Sequence, residues 1–200
     1  MLPLHQLLTE CAPTVAPSTM AAIVRVESGG NPLAMWNNST RSMIGPGNRA
    51  QAIQYLRQAI AAGQKVDVGI AQVDTENFAA FGLTPGTAFN TCANLRAGSE
   101  ILRMDWQQAL ASGYWGQKAL YHAFEAYNSG RLWGDAQYAN RILGAAGAPS
   151  PADYGELRTV SQVNKAPPAD PFPQFRWQAT SAQPAQPPQS GASGPWTVLP

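Results

Sequence analysis

Leu2, Leu4, Leu7 and Leu8 fall on one helical face ahead of Cys11-Ala12-Pro13, so a short first helix is expected to stop at the proline. Met20, Ile23, Val24 and Val26 repeat the spacing, with Ser18 or Thr19 as the expected cap and Gly29-Gly30-Asn31-Pro32 as the stop. From 33 to 47 the chain is rich in Asn, Ser, Gly and Pro around Met35, Trp36 and Ile44, which predicts a loop or a weak hairpin. Trp36 is either a ligand-stacking ring or a partly buried core residue. Asn48 caps an expected helix from Arg49 to Ala62, striped by Ala52, Ile53, Leu56 and Ile60.

Lys65 to Asp74 is too short and too interrupted by Gly69 for a helix. A buried bend turning Gln72 inward is one reading; an exposed Gln72 is the plainer one for that residue type. A short helix from Asp74 or Thr75 through Phe81 precedes the turn Gly82-Leu83-Thr84-Pro85-Gly86. Asn90 or Thr91 then opens a long helix to about Ala111, faced by Leu95, Leu102, Trp106 and Leu110, with Gly98 and Ser99 leaving room for a neighbouring helix. Leu120, Phe124 and Tyr127 define a helix from Gln117 to Tyr127 closed by Asn128-Ser129-Gly130, and Asp135 caps a last one, Ala136 to Leu143. The sum is a single, mainly α domain over residues 1–148 with at most a small hairpin. Pro149 to Pro200 lacks any sustained apolar period and reads as a flexible Pro/Gln/Ala-rich tail. Its Phe172, Phe175, Trp177 and Trp196 are either docking aromatics or part of a solvated linker.

Charged residues make up 12% of the chain and the formal net charge is +1, which leaves no electrostatic footprint for nucleic acid. Abundant uncharged polar groups, with six Trp and six Tyr, suit a neutral ring-shaped ligand such as a carbohydrate. The apolar runs fall far short of a membrane span, and no cleavable signal peptide is legible, so the export route stays open. Cys11, Cys92, His5 and His122 have no metal-ligand spacing, and the two cysteines are read either as buried thiols or as a disulfide formed in an oxidising compartment.

Glu27 ends the second helix, where the dipole offers a carboxylate nothing and an apolar surround raises its pKa. That suits a proton donor, although a surface Glu is the simpler reading of this residue alone. Three segments change the balance: Val26-Glu27-Ser28-Gly29-Gly30-Asn31-Pro32, Asp67-Val68-Gly69-Ile70-Ala71-Gln72 and Glu125-Ala126-Tyr127-Asn128-Ser129-Gly130. Their order and spacing resemble the soluble (SLT) type of lytic transglycosylase in the lysozyme-like superfamily. Asp67, and Cys11 paired with the Cys92 segment, resemble the branch associated with type IV secretion systems.

The resemblance implies an α+β lysozyme-like fold with a cleft, and cleavage of the β-1,4 MurNAc–GlcNAc bond of peptidoglycan with a 1,6-anhydro product. Glu27 would act alone, first as acid and then as base, with no metal or organic cofactor. Tyr127 would orient Glu27, Gln72 and Asn128 would hold sugar N-acetyl or hydroxyl groups, Ser28 would contact the glycan beside the cleaved bond, and Tyr138 would line the cleft. Ile70-Ala71, where many relatives carry Leu-Met, would give a roomier cleft wall. A monomer in the periplasm or cell envelope is expected, with secretion-system subunits as partners through the tail. The rival readings are a lysozyme-type hydrolase in which Asp67 or Asp74 positions water, and a non-catalytic wall-binding module.

Overall fold

Residues 3–148 are described by a computed structural model, and the tail expected over 149–200 lies outside them. Helices α1 (Leu4–Cys11) and α2 (Pro17–Glu27) come first. Strands β1 (Met35–Asn37) and β2 (Ser42–Ile44), helix α3 (Arg49–Ala61) and strands β3 (Val66–Val68) and β4 (Val73–Asp74) follow. A 3-10 turn at Thr75–Asn77 leads on to α4 (Thr91–Ala111), α5 (Gly116–Ser129) and α6 (Ala136–Ala146). The strands form one antiparallel sheet in the order β2-β1-β3-β4. The architecture is therefore the expected mainly helical, lysozyme-like one, with a small sheet where the sequence suggests a hairpin and a bend.

Local chemistry explains the differences. Helix α2 starts at Pro17 after Ala16 and not after Ser18 or Thr19. Proline fits a first helical position because its missing N–H has no intrahelical partner there anyway. The helix expected through Phe81 shrinks to the 3-10 turn, where Asp74 Oδ1 accepts from the Glu76 amide at 2.7 Å. Helix α6 runs past Leu143 to a left-handed Gly147. Asn48, Asn90 and Asp135 cap α3, α4 and α6 through their side chains, as the sequence suggests.

The apolar side chains gather on two sides. Leu8, Met20, Ile23, Val24, Leu95 and Phe124 belong to a helical core, while Met35, Leu56, Val66, Val68, Phe78 and Phe89 fill a second one under the sheet. Helix α4 serves both, through Leu95 and Leu102 on one side and Ala97 on the other. A disulfide between Cys11 and Cys92 ties the end of α1 to the start of α4.

Between the cores lies the turn Gly69–Gln72. Asn94, fully buried on α4, donates to the Val68 and Ala88 carbonyls at 2.8 and 3.1 Å and accepts from the Ala71 amide at 2.8 Å. Only glycine fits at 69: φ is +83°, and a Cβ would stand 2.5 Å from the Asn94 amide nitrogen. One turn along α4, a Cβ on Gly98 would stand 2.7 Å from Ala71 Cβ and 2.8 Å from the Tyr127 hydroxyl. The small residue at 98 thus admits this turn and a tyrosine side chain. Ala71 is fully buried there, facing Gly98 of α4.

Asn94→Ala strands buried backbone groups and is expected to cost about 3 kcal/mol, read by denaturant unfolding. The denatured, unreduced protein should show no thiol reactive to titration. Reduction should lower the unfolding midpoint, a bridge across so long a loop contributing up to about 4 kcal/mol in the chain-entropy account.

Candidate active site

Glu27 is the last residue of α2, and its neighbours come from three other elements. Tyr138, 1% exposed on the first turn of α6, donates its hydroxyl to Glu27 Oε1. Burial pushes the Glu27 carboxyl up to about 7, against the opposing pull of the Tyr138 hydrogen bond and the Arg141 charge. The bond expected from Tyr127 is thus made by Tyr138. Tyr127 instead donates to the Ala71 carbonyl at 2.8 Å. Its phenol is raised well above the ordinary range by burial and then by the charges of Glu27, Asp105 and Asp67. The two tyrosines divide the work, one holding the carboxyl and the other holding the turn opposite it.

Ser28 Oγ donates to the Ile70 carbonyl at 2.7 Å and accepts from the Gly30 amide at 3.1 Å. It joins the end of α2 to the same turn. Gln72 closes the turn in the left-handed region, at φ +49°, where a non-glycine residue is uncommon. Its amide nitrogen donates to the Gly69 and Ala34 carbonyls at 2.8 and 3.1 Å, which offsets the cost. Gln72 is half-buried, between the two readings of the sequence. Asn128 is exposed at the end of α5 and donates to Asp135 Oδ2 at 2.5 Å.

The strand register adds residues that periodicity did not single out as a group. Trp36 pairs with Met43 on one side and Asp67 on the other, and Asp67 pairs with Asp74, so the four side chains form a row across one sheet face. Trp36 and Met43 are 38% and 80% exposed, an apolar ledge beside two carboxylates. Asn38 Nδ2 reaches Asp67 Oδ2 at 3.0 Å and Asp74 Oδ2 at 3.1 Å. Burial pushes Asp67 up to about 7, Asn38 opposes this, and the Asp74 and Glu27 charges add to it. Asp105 on α4, with a buried Oδ2 lacking a hydrogen-bond partner, is also pushed to about 7 by burial. Sequence reading missed Asn94 and Asp105, whose only signal was a polar side chain within the apolar period of α4.

Among the described residues no group of three or more His, Cys, Asp or Glu could hold a metal ion, and no helix is long and apolar enough to cross a membrane. What the residues offer is general acid–base chemistry at one desolvated carboxyl, Glu27, held by the Tyr138 hydroxyl.

A mainly helical, lysozyme-like domain with one desolvated carboxyl at a helix end is the class this fold and site define. The family description "Transglycosylase SLT domain" matches residues 8–141. The chain is 39% identical over 128 residues to Protein virB1 of Agrobacterium fabrum, which takes in 60% of this chain and 49% of that protein. It is 41% identical over 136 residues to the type IV secretion system protein virB1 of Brucella abortus, 67% of this chain and 57% of the relative. The matched stretch thus spans about half the length of these relatives. No solved structure matches. The chain belongs to the transglycosylase SLT domain family.

The raised carboxyls set a stability profile. Glu27, Asp67 and Asp105 keep their protons in the folded state above the ordinary values of 4.5 and 3.8, up to about 7. In that window the native state binds more protons than the unfolded chain, so stability falls as pH rises through it and levels off above. The thermal midpoint is expected to be higher near pH ~5 than near pH ~8, since a carboxyl that keeps its proton one pH unit further than in the unfolded chain alters stability by about 1.4 kcal/mol. Glu27→Gln should raise the midpoint at the higher pH and leave it nearly unchanged at the lower.

Proposed function

We propose that this protein cleaves the β-1,4 bond between N-acetylmuramic acid and N-acetylglucosamine in peptidoglycan, forming a 1,6-anhydro end and consuming no water. The observation that carries the reading is Glu27, held protonated to about 7 by burial and fixed through Oε1 by the Tyr138 hydroxyl. With Oε1 occupied, the acid proton on Oε2 is free to pass to the glycosidic oxygen. As that C–O bond breaks, positive charge develops at C1 of the muramic acid, and Glu27 is left as a carboxylate. The carboxylate then takes the C6 hydroxyl proton while the C6 oxygen bonds to C1 of the same sugar. Glu27 ends protonated and ready to act again. The attack is intramolecular, so positioning does much of the work a second protein carboxylate would do elsewhere.

Gln72 Oε1 and Asn128 are the polar contacts for N-acetyl or hydroxyl groups. Trp36 is a platform on which a sugar ring stacks. Ser28 and Tyr127 act on the glycan indirectly, by holding the turn that faces it. Residues 1–148 are the cleaving domain in this reading, and 149–200 the segment offered to secretion-system subunits. The setting is the periplasm or cell envelope, where opened wall makes room for a type IV apparatus; support comes from the family and from relatives named for that system.

One observation favours a second reading, hydrolysis by water: Asp67 lies close enough for the Glu27 charge to raise its pKa. Against it, burial and the neighbouring Asp74 charge disfavour the charged form of Asp67 that a nucleophile or base needs, and its Oδ2 is taken up by Asn38, which also holds Asp74.

Digestion of purified peptidoglycan followed by mass spectrometry separates the readings. Anhydro-ended fragments are expected; fragments one water heavier would establish the hydrolase. Glu27→Gln should lower turnover by roughly 10²–10⁴-fold with folding intact, and the wild-type rate should decline as pH rises past about 7, where the acid form is lost.

A further inference from the structure

Glu125 is the only acidic residue among the fully buried described residues, at 3% exposure, and the cleavage steps above make no use of it. A carboxylate is withdrawn from water only where partners replace the water. Its partners are at the root of the loop between α5 and α6. Oε2 lies 2.7 Å from Nδ1 of His122, one turn earlier on α5, and Oε1 accepts from the backbone N–H of Asp135 at 3.1 Å. The same Nδ1 stands 2.6 Å from the Leu132 carbonyl. A carbonyl only accepts, so Nδ1 bears a hydrogen, shared between that carbonyl and the Glu125 carboxylate. The His122 ring is further confined by Tyr114, whose ring centroid is 4.0 Å away.

The loop so gripped delivers Tyr138. Asp135, caught by its backbone, uses Oδ1 to cap α6 at the Tyr138 N–H, 3.3 Å, and Oδ2 to hold Asn128. Three residues on from Asp135, the Tyr138 hydroxyl ends on Glu27 Oε1. The connection from His122 to Glu27 therefore runs through named hydrogen bonds and a single helical turn.

We propose that Glu125, together with His122, is a positioning residue for glycan cleavage: by fixing the Asp135 backbone it sets the first turn of α6, and so the point at which the Tyr138 hydroxyl meets Glu27. This role rests on Glu27 being the acid of the reaction. It differs from ordinary loop packing in one respect: its effect passes through a single hydroxyl.

The test uses the full chain on solubilised glycan strands, comparing wild type, Glu125→Gln, Tyr138→Phe and the double variant. The His122 and Asp135 N–H groups meet different oxygens of Glu125, so in glutamine one of them faces the amide NH2, a donor, and loses its acceptor. Glu125→Gln is expected to lower kcat about 10- to 100-fold, the scale of a small misplacement of a catalytic contact, with KM little changed. The alkaline limb of the kcat profile should move upward, as in Tyr138→Phe, because both lose the hydrogen bond that lowers the Glu27 pKa. The double variant should be no slower than Tyr138→Phe alone, since two changes acting through one contact do not add. A wild-type limb in Glu125→Gln, or losses that add fully, would overturn the proposal.

Should circular dichroism show Glu125→Gln unfolded, the His122 pair decides. His122→Asn, whose amide nitrogen can take the Nδ1 place, should keep kcat where His122→Leu loses it, and equal rates would overturn the role. Wild-type protein releasing nothing from the strands would sink the glycan-cleaving reading, and this role with it.

Discussion

The side chain of Asn94 makes three hydrogen bonds in the dry space between α4 and the sheet, and the placement of the Gly69–Gln72 turn follows from them. An amide there is costly unless its donors and acceptor are all met; the Ala71 amide of the turn meets the acceptor, and the Val68 and Ala88 carbonyls meet the donors. In return the turn is held as a rigid rim. The carbonyls it presents are the ones that Ser28 and Tyr127 grip from α2 and α5. Three helices are thus registered against one short loop by bonds to its backbone, and the Glu27 carboxyl inherits its position from that registration.

Fold and chemistry make opposite demands at Glu27. The helix end and the apolar surround disfavour its charged form, and the Tyr138 hydroxyl only partly restores the balance. A domain selected for stability alone would carry an uncharged residue there. The retained carboxyl is a local loss of stability that makes sense as function, and the well-packed cores on either side supply the rigidity to bear it.

Much of this is legible in the sequence because helix periods and caps are local. Asn48, Asn90 and Asp135 each cap a helix whose apolar stripe begins directly after them. The sheet is less so: strands of two or three residues carry too little alternation to show a period, and β3 and β4 read as a bend. The E-S, G-x-x-Q and A-Y-N-S-G segments are joined in space, through the Ser28 and Tyr127 bonds to the Ile70 and Ala71 carbonyls. What they do not convey is which of two tyrosines reaches Glu27, since that depends on how α6 is docked and not on spacing along the chain. Asn94 and Glu125 escape sequence reading for a related reason: a buried polar residue is recognisable only once its distant partners are in place.

The bridge between Cys11 and Cys92 closes a covalent ring of chain, and the ring has an inside and an outside. Glu27, Ser28, Asp67 and Gln72 lie within it, whereas Tyr127 and Tyr138 are strung beyond its knot. The Glu27 carboxyl and the Tyr138 hydroxyl that holds it therefore come from opposite sides of the closure. Oxidation gathers one half of the site into a tethered loop, and the other half must still dock onto it without a covalent link, through packing and the hydrogen bonds of Tyr127 and Tyr138.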